Sequence, residues 1–196
     1  MKKITNLLIM TALLGILTEC KKGEDDPFIS LRRRKARVVG SWKLTSGTKA
    51  ETSSSTNSSS TDNYTYTEST YNYTGSYTSG GTTSNSSNAG VYSVKVEFKK
   101  DGTFTHTEIM DSDITITSGT WNFTHGVGEY KNKEQILLTV NSAIQNGVAT
   151  TITGNGAITT LTLKELRNKK MVITVDESTT STNSTSTNKE ETVLEQ

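Results

Sequence analysis

From Tyr92 to Phe98 and again from Phe104 to Met110, apolar and polar side chains alternate, and this two-residue period governs most of the chain beyond Gly40. A strand sends successive side chains to opposite faces. Tyr92, Val94, Val96 and Phe98 therefore share one face, and Phe104, His106, Glu108 and Met110 share a face of the returning strand. The link Lys99-Lys100-Asp101-Gly102-Thr103 allows two registers. A two-residue Asp101-Gly102 loop would set Phe98 opposite Thr105 and leave Phe104 beside Lys99. A three-residue loop, with Gly102 in the left-handed region, sets Phe98 opposite Phe104. Only the second keeps both phenylalanines on the buried face, so it is the expected register. It places His106 opposite Val96 and Glu108 opposite Val94.

The same period recurs elsewhere. Tyr64 and Tyr66, then Tyr71, Tyr73 and Tyr77, alternate with Thr, Asn or Ser, and the change of phase puts a bulge or turn near Glu68-Ser69. Ile114-Thr115-Ile116 runs toward Trp121-Asn122-Phe123, with Ser118-Gly119 expected to absorb another change of phase. Ile136, Leu138 and Val140 mark a further strand, and residues 148–153 the next. Ile158 to Leu163 and Met171 to Val175 form a last pair, joined through Arg167-Asn168-Lys169-Lys170. Pro is absent after Pro27, and Thr, Val, Ile and Tyr dominate these stretches. About eight or nine short strands suit a meandering antiparallel barrel or sandwich. The one helical pattern comes first. Asp26 can cap and Pro27 can start a turn, and Phe28, Leu31 and Val38 or Val39 fall near one face. Gly40 ends it, and a strand from Ser41 to Thr45 is expected at once.

Hydrophobic residues make up 31% of the chain, against about 45–50% counting Gly in a typical globular protein. The deficit is concentrated in three stretches, 51–61, 78–89 and 177–190, which hold almost no apolar side chain. Such stretches bury too little surface to offset chain entropy, so loops and a polar tail are expected there. One domain is expected over 27–176, with Ser/Thr/Asn-rich insertions at 51–62 and 78–90 and a flexible tail at 177–196.

The first residues follow a different logic. Lys2 and Lys3 precede an apolar run, Leu7 to Leu17, too short to span a bilayer and placed like the core of an export signal. It ends at Cys20, the single cysteine. Leu17-Thr18-Glu19-Cys20 resembles a lipobox, although Glu19 stands where a small residue is usual. Residues 1–19 thus read as a lipoprotein signal peptide, Cys20 as the lipidation site, and residues 20–26 as a tether. Several acyl chains on one cysteine anchor stably, as a single chain does not. The expected location is the cell envelope, on either face of an outer membrane. The chain carries 21 Lys and Arg against 20 Asp and Glu, and loss of Lys2, Lys3 and Glu19 with the signal leaves 19 of each. This balance points to no nucleic-acid partner. The basic run from Arg32 to Arg37 is expected to be the solvated face of the short helix.

Gly40-Ser41-Trp42 after that helix, the Phe98-to-Phe104 hairpin with its Asp101-Gly102, and Gly119-Thr120-Trp121 together resemble the lipocalin-like lipoproteins of Bacteroidetes. The acidic run Glu24 to Asp26 resembles the tethers of Bacteroidetes surface lipoproteins. The likeness spans most of residues 26 to 175 outside the serine-rich insertions. It implies an all-β, up-and-down antiparallel barrel with a short N-terminal helix at one end. It further implies that Trp42 plugs the closed end, with Gly40, Gly119 and Trp121 as structural companions.

Catalytic chemistry finds little support. There are two histidines, His106 and His125, and no G-x-S-x-G, HExxH or phosphate-cradling glycine loop. His106 and Glu108 share a face, but a structural metal site needs about four ligands. No metal, cofactor or enzymatic activity is expected. Binding pockets are mostly apolar with a few placed polar groups. His106 and Glu108 fit the polar role, with Tyr92, Phe104 and Met110 lining the same space. The expected function is binding of a small, largely apolar molecule by a monomeric, membrane-anchored barrel. The alternative is a surface module that contacts a macromolecule or glycan through its Tyr/Thr-rich segment.

Overall fold

A computed structural model describes residues 34–125, 134–151 and 157–196. The signal segment, Cys20, Phe28 and Leu31 lie outside the described residues. One short helix, α1 (Arg34–Val38), leads into eleven strands. These are β1 (Gly40–Ser55), β2 (Ser58–Thr67), β3 (Thr70–Ser79), β4 (Thr82–Phe98), β5 (Thr103–Met110) and β6 (Asp113–His125). They continue with β7 (Glu134–Gln145), β8 (Val148–Thr151), β9 (Ala157–Leu166), β10 (Lys170–Ser181) and β11 (Ser184–Glu195). All pairings are antiparallel. Ten strands close a barrel through the β6–β7 ladder, and β8 is an extra strand beside the far half of β7. The all-β barrel was legible in the sequence; the expected eight or nine strands fall short of the eleven among the described residues.

The barrel changes width along its axis. At its base β1 pairs directly with β4, from Gly40–Phe98 to Lys43–Lys95, so the ring there has eight strands. Higher up, the β2–β3 hairpin inserts between β1 and β4 and widens the ring to ten. A bulge between Leu44 and Ser46 lets β1 change phase at the level where it exchanges one neighbour for the other.

The Phe98–Phe104 hairpin takes the three-residue register. Phe98 pairs with Phe104, Val96 with His106 and Val94 with Glu108. Gly102 has φ of 86°, a conformation open to glycine without strain. The Trp121 backbone N–H donates to the Gly102 carbonyl at 2.7 Å, and its indole N–H to the Lys99 carbonyl at 3.0 Å. Glu68-Ser69 is the turn between β2 and β3, where the tyrosines change phase.

The core sits at the base. Trp42, Leu44, Val96, Phe98, Phe104, Trp121, Ile136, Leu163, Met171 and Leu194 are buried around one another. The Trp42 indole N–H donates to the Val38 carbonyl at 2.7 Å, stoppering the base and capping the helix end at once. Gly119 lies so close to the backbone of Thr139 and Val140 that a Cβ would collide with both. Gly40 leaves the helix with φ of 149°.

Four expectations are corrected. The Ser/Thr/Asn stretches 51–62 and 78–90 are not loops: they form the upper halves of β1 to β4. Residues 177–196 are not a free tail either, because β10 and β11 pair along twelve residues and β11 returns Leu194 to the core opposite Leu44. In both cases main-chain ladders and cross-strand hydroxyl pairs supply the contacts that apolar burial does not. Thr52 meets Thr187 at 2.7 Å, and Thr78 meets Thr83 at 2.9 Å. The basic run is not simply solvated: Arg37 is buried and donates to the Leu166 carbonyl, while Arg34 forms an ion pair with Glu134. Finally, the irregularity at Ser118-Gly119 places its extra residue, Asn141, on β7. Strand β6 therefore keeps one phase, which turns Thr115, Thr117, Gly119 and Trp121 inward and leaves Ile114 exposed.

Candidate functional site

Cross-strand partners share a face, so the ladders identify what lines the barrel above its core. Gly47 pairs with Tyr66 and with Thr192; Lys49 pairs with Tyr64 and with Glu190. Tyr66 pairs with Tyr71 and Tyr64 with Tyr73. On the β4–β5 side, Tyr92 pairs with Met110 and Val94 with Glu108. The inner wall of the widened mouth is therefore tyrosine and carboxylate, where the base is aliphatic and indole.

The tyrosines form a belt. Tyr66 and Tyr92 have ring centroids 4.6 Å apart, Tyr64 and Tyr73 are 4.9 Å apart, and Tyr64 stacks on Tyr66 at 6.1 Å. Tyr73 donates from its hydroxyl to Asp62 at 2.7 Å, and Tyr71 to Asp111 at 3.2 Å. The Lys49 ammonium lies 5.7 Å from the Tyr64 ring centre and 3.1 Å from a Glu51 oxygen. One intramolecular cation thus already rests on an aromatic face of the belt.

The electrostatics follow from burial beside negative charge. Tyr66 is held well above the usual phenol range, first by burial and then by Glu190, Tyr64 and Glu108. Tyr92 is raised in the same way, by burial and then by Glu108, Tyr66 and Glu190. Burial lowers the His106 pKa, against an opposing pull from Glu108. Near neutrality the phenols of Tyr66 and Tyr92 and the imidazole of His106 are accordingly neutral.

The five residues expected to line a ligand space all lie on the inner face of β4 and β5, at different depths. Phe104 is part of the packed base, 6.4 Å from Phe98 between ring centres. His106 and Glu108 are half-buried at the transition between core and mouth. Tyr92 is in the belt, and Met110 is exposed at the rim beside the Asp111 turn. Tyr92, Glu108 and His106 thus belong together, Phe104 lies beneath them, and Met110 lies above. Glu190 was missed because its strand read as a tail. The inward alternation of Glu190, Thr192 and Leu194 was the available signal. Tyr64, Tyr66 and Tyr73 were legible as one strand face, but their junction with Tyr92 was not.

A concavity adjoins the belt, with Lys49, Tyr64 and Glu190 among the residues that line it. An open groove of about 930 Å³ crosses the wall from β7 and β9 to β1 and β2, and includes Thr48, Thr162, Lys164, Thr174 and Glu191. Gln135, Thr162, Thr174, Glu191, Thr48 and Thr65 form one unbroken row of partners across six strands. Their phase is opposite to that of buried Leu163 and Ile173, which places this row on the outer surface. Lys164 and Glu191 pair within the groove at 2.8 Å. Among the described residues, no group of three or more His, Cys, Asp or Glu side chains is placed to hold a metal.

No protein-family model matches the chain, and no curated protein matches it either.

Proposed function

We propose that the chain is a lipid-anchored, non-enzymatic binding barrel of the cell envelope, similar to lipocalin-like lipoproteins. It takes a small, largely apolar molecule against the tyrosine belt at its mouth. One observation carries this reading. Tyr66 and Tyr92, from strands distant in sequence, bring their rings together directly above a sealed apolar base. Half-buried Glu108 and His106 sit beside them as polar anchors. Apolar faces with few polar groups are what a small ligand of this kind requires. Attachment through acylated Cys20 keeps the barrel at the membrane.

The test is a titration of the purified protein with N-phenyl-1-naphthylamine, a neutral apolar fluorophore. Saturable enhancement is expected, with affinity reduced about tenfold or more in Tyr66→Ala and Tyr92→Ala. That loss corresponds to the cost of removing one well-packed aromatic contact. Absence of saturable binding, or binding by both variants as tight as by the wild-type chain, overturns the mouth as the site. Incorporation of labelled palmitate, abolished by Cys20→Ser, tests the anchor.

The outer groove favours a second reading. Its size and its Thr, Lys and Glu lining suit a polar chain such as a glycan or an extended peptide. In that case glycan-array binding, lost in Lys164→Glu, would replace binding of the apolar probe.

A further inference from the structure

The closed ring occupies the lower part of the molecule. The β4–β5 ladder ends at Tyr92–Met110, and the β9–β10 ladder ends at Thr174–Thr162. Beyond these levels six strands continue as one sheet, in the order β10, β11, β1, β2, β3, β4. This blade is mostly Ser, Thr, Asn and Tyr. Among the described residues its two outer edges have no strand beside them: Thr82–Ala89 on β4 and Asp176–Ser181 on β10.

The two edges differ. Natural sheets protect an exposed edge with lysine, proline, a bulge or a very short strand. The β4 edge reads TTSNSSNA, with no charge and no proline, and all eight residues are exposed. Its ladder with β3 runs from Thr82–Ser79 to Val91–Thr70 without a register shift, so no bulge bends it away. The β10 edge is shorter and opens with two acids, Asp176 and Glu177. At the lower end of the β4 edge, Asp111 closes off the backbone by accepting from the Val91 N–H at 3.1 Å. Above that point no strand among the described residues faces the outward N–H and C=O groups of β4.

We propose that Thr82–Ala89 of β4 pairs antiparallel with the same edge of a second copy, joining two blades across a two-fold axis. Three features select this occupant. The edge is neutral, so a copy of itself brings no like charges together. Its composition is the one this chain already pairs throughout the blade, with hydroxyls meeting across strands at Thr52–Thr187 and Thr78–Thr83. Antiparallel self-pairing uses one patch twice and closes after two copies, which a β4-to-β10 contact would not do. A single strand pair is a small interface, so the dimer is reversible and depends on concentration. The sequence alone led to the expectation of a monomer.

Sedimentation velocity of the full chain in density-matched detergent, over a range of concentrations, tests the proposal. A monomer–dimer equilibrium is expected. Thr83→Lys with Asn85→Lys, which places like charges across the two-fold, is expected to weaken it about tenfold or more. Ser178→Lys with Thr180→Lys on the β10 edge should leave it unchanged. Circular dichroism establishes that each variant keeps its strand content. A wild-type chain that stays monomeric throughout overturns the proposal, as does a dimer indifferent to the β4 lysines. An open series of oligomers abolished by the β10 lysines would overturn it in favour of head-to-tail stacking.

Discussion

Trp42 does two things with one side chain, and its substitution separates them. The ring fills the base of the barrel, and its N–H satisfies the Val38 carbonyl at the end of α1. Trp42→Phe keeps most of the filling and loses the donor, so a cost of about 1–3 kcal/mol is expected from urea unfolding with an unchanged slope. Trp42→Ala should cost about 3–5 kcal/mol. His106 offers a test through pH. Its folded-state pKa lies below that of the unfolded chain, so the unfolded state takes up the proton first as pH falls. Stability should therefore decline as pH drops below about 6.5, the ordinary histidine value. His106→Gln should flatten that part of the profile, and thermal melts between neutral and mildly acidic pH measure it. Both roles were partly legible: the resemblance to lipocalin-like lipoproteins implied Trp42 as the base plug, and the hairpin register turned His106 inward. The depth of each side chain was not legible, because a one-dimensional pattern gives a face and not a height along the barrel.

At the scale of elements, the alternating strands from Tyr92 to Met110 and from Met171 to Val175 were legible because their apolar side chains face one core. The segments 51–62, 78–90 and 177–196 were not, because their cohesion lies in backbone ladders and hydroxyl pairs that hydropathy does not register. Positive φ at Gly80 and Gly81, 56° and 80°, matches the two-residue turn that a right-twisted hairpin favours. Hydrogen exchange distinguishes the alternatives. Slow exchange is expected for amides of Glu190 to Leu194 and Lys49 to Glu51, which lie inside ladders on both sides. Exchange at the rate of a free peptide would contradict the strand assignment. Truncation after Asp176 should accordingly unfold the barrel, since it removes Leu194 from the core and β11 from between β1 and β10.

At the scale of the whole molecule, a narrow, side-chain-filled base carries a wider, tyrosine-lined mouth, and above the mouth rises an open polar blade. The widening has one cause, the β2–β3 hairpin between β1 and β4. That hairpin also supplies Tyr64, Tyr66 and Tyr73 to the belt. The proposed ligand site and the departure from an eight-stranded ring are therefore the same structural event. Replacing residues 58–79 by a short turn should close the ring at β1–β4 and abolish binding of the apolar probe while leaving the base intact.

Native mass spectrometry of the full chain, extracted gently from the cells that produce it, tests the central claim most directly. A bound small apolar molecule, present in addition to any acyl anchor, is expected. It should be lost on collisional activation and absent from the Tyr66→Ala, Tyr92→Ala double variant. A wild-type mass equal to that of the acylated polypeptide alone, unchanged by the double substitution, would contradict a ligand-carrying mouth.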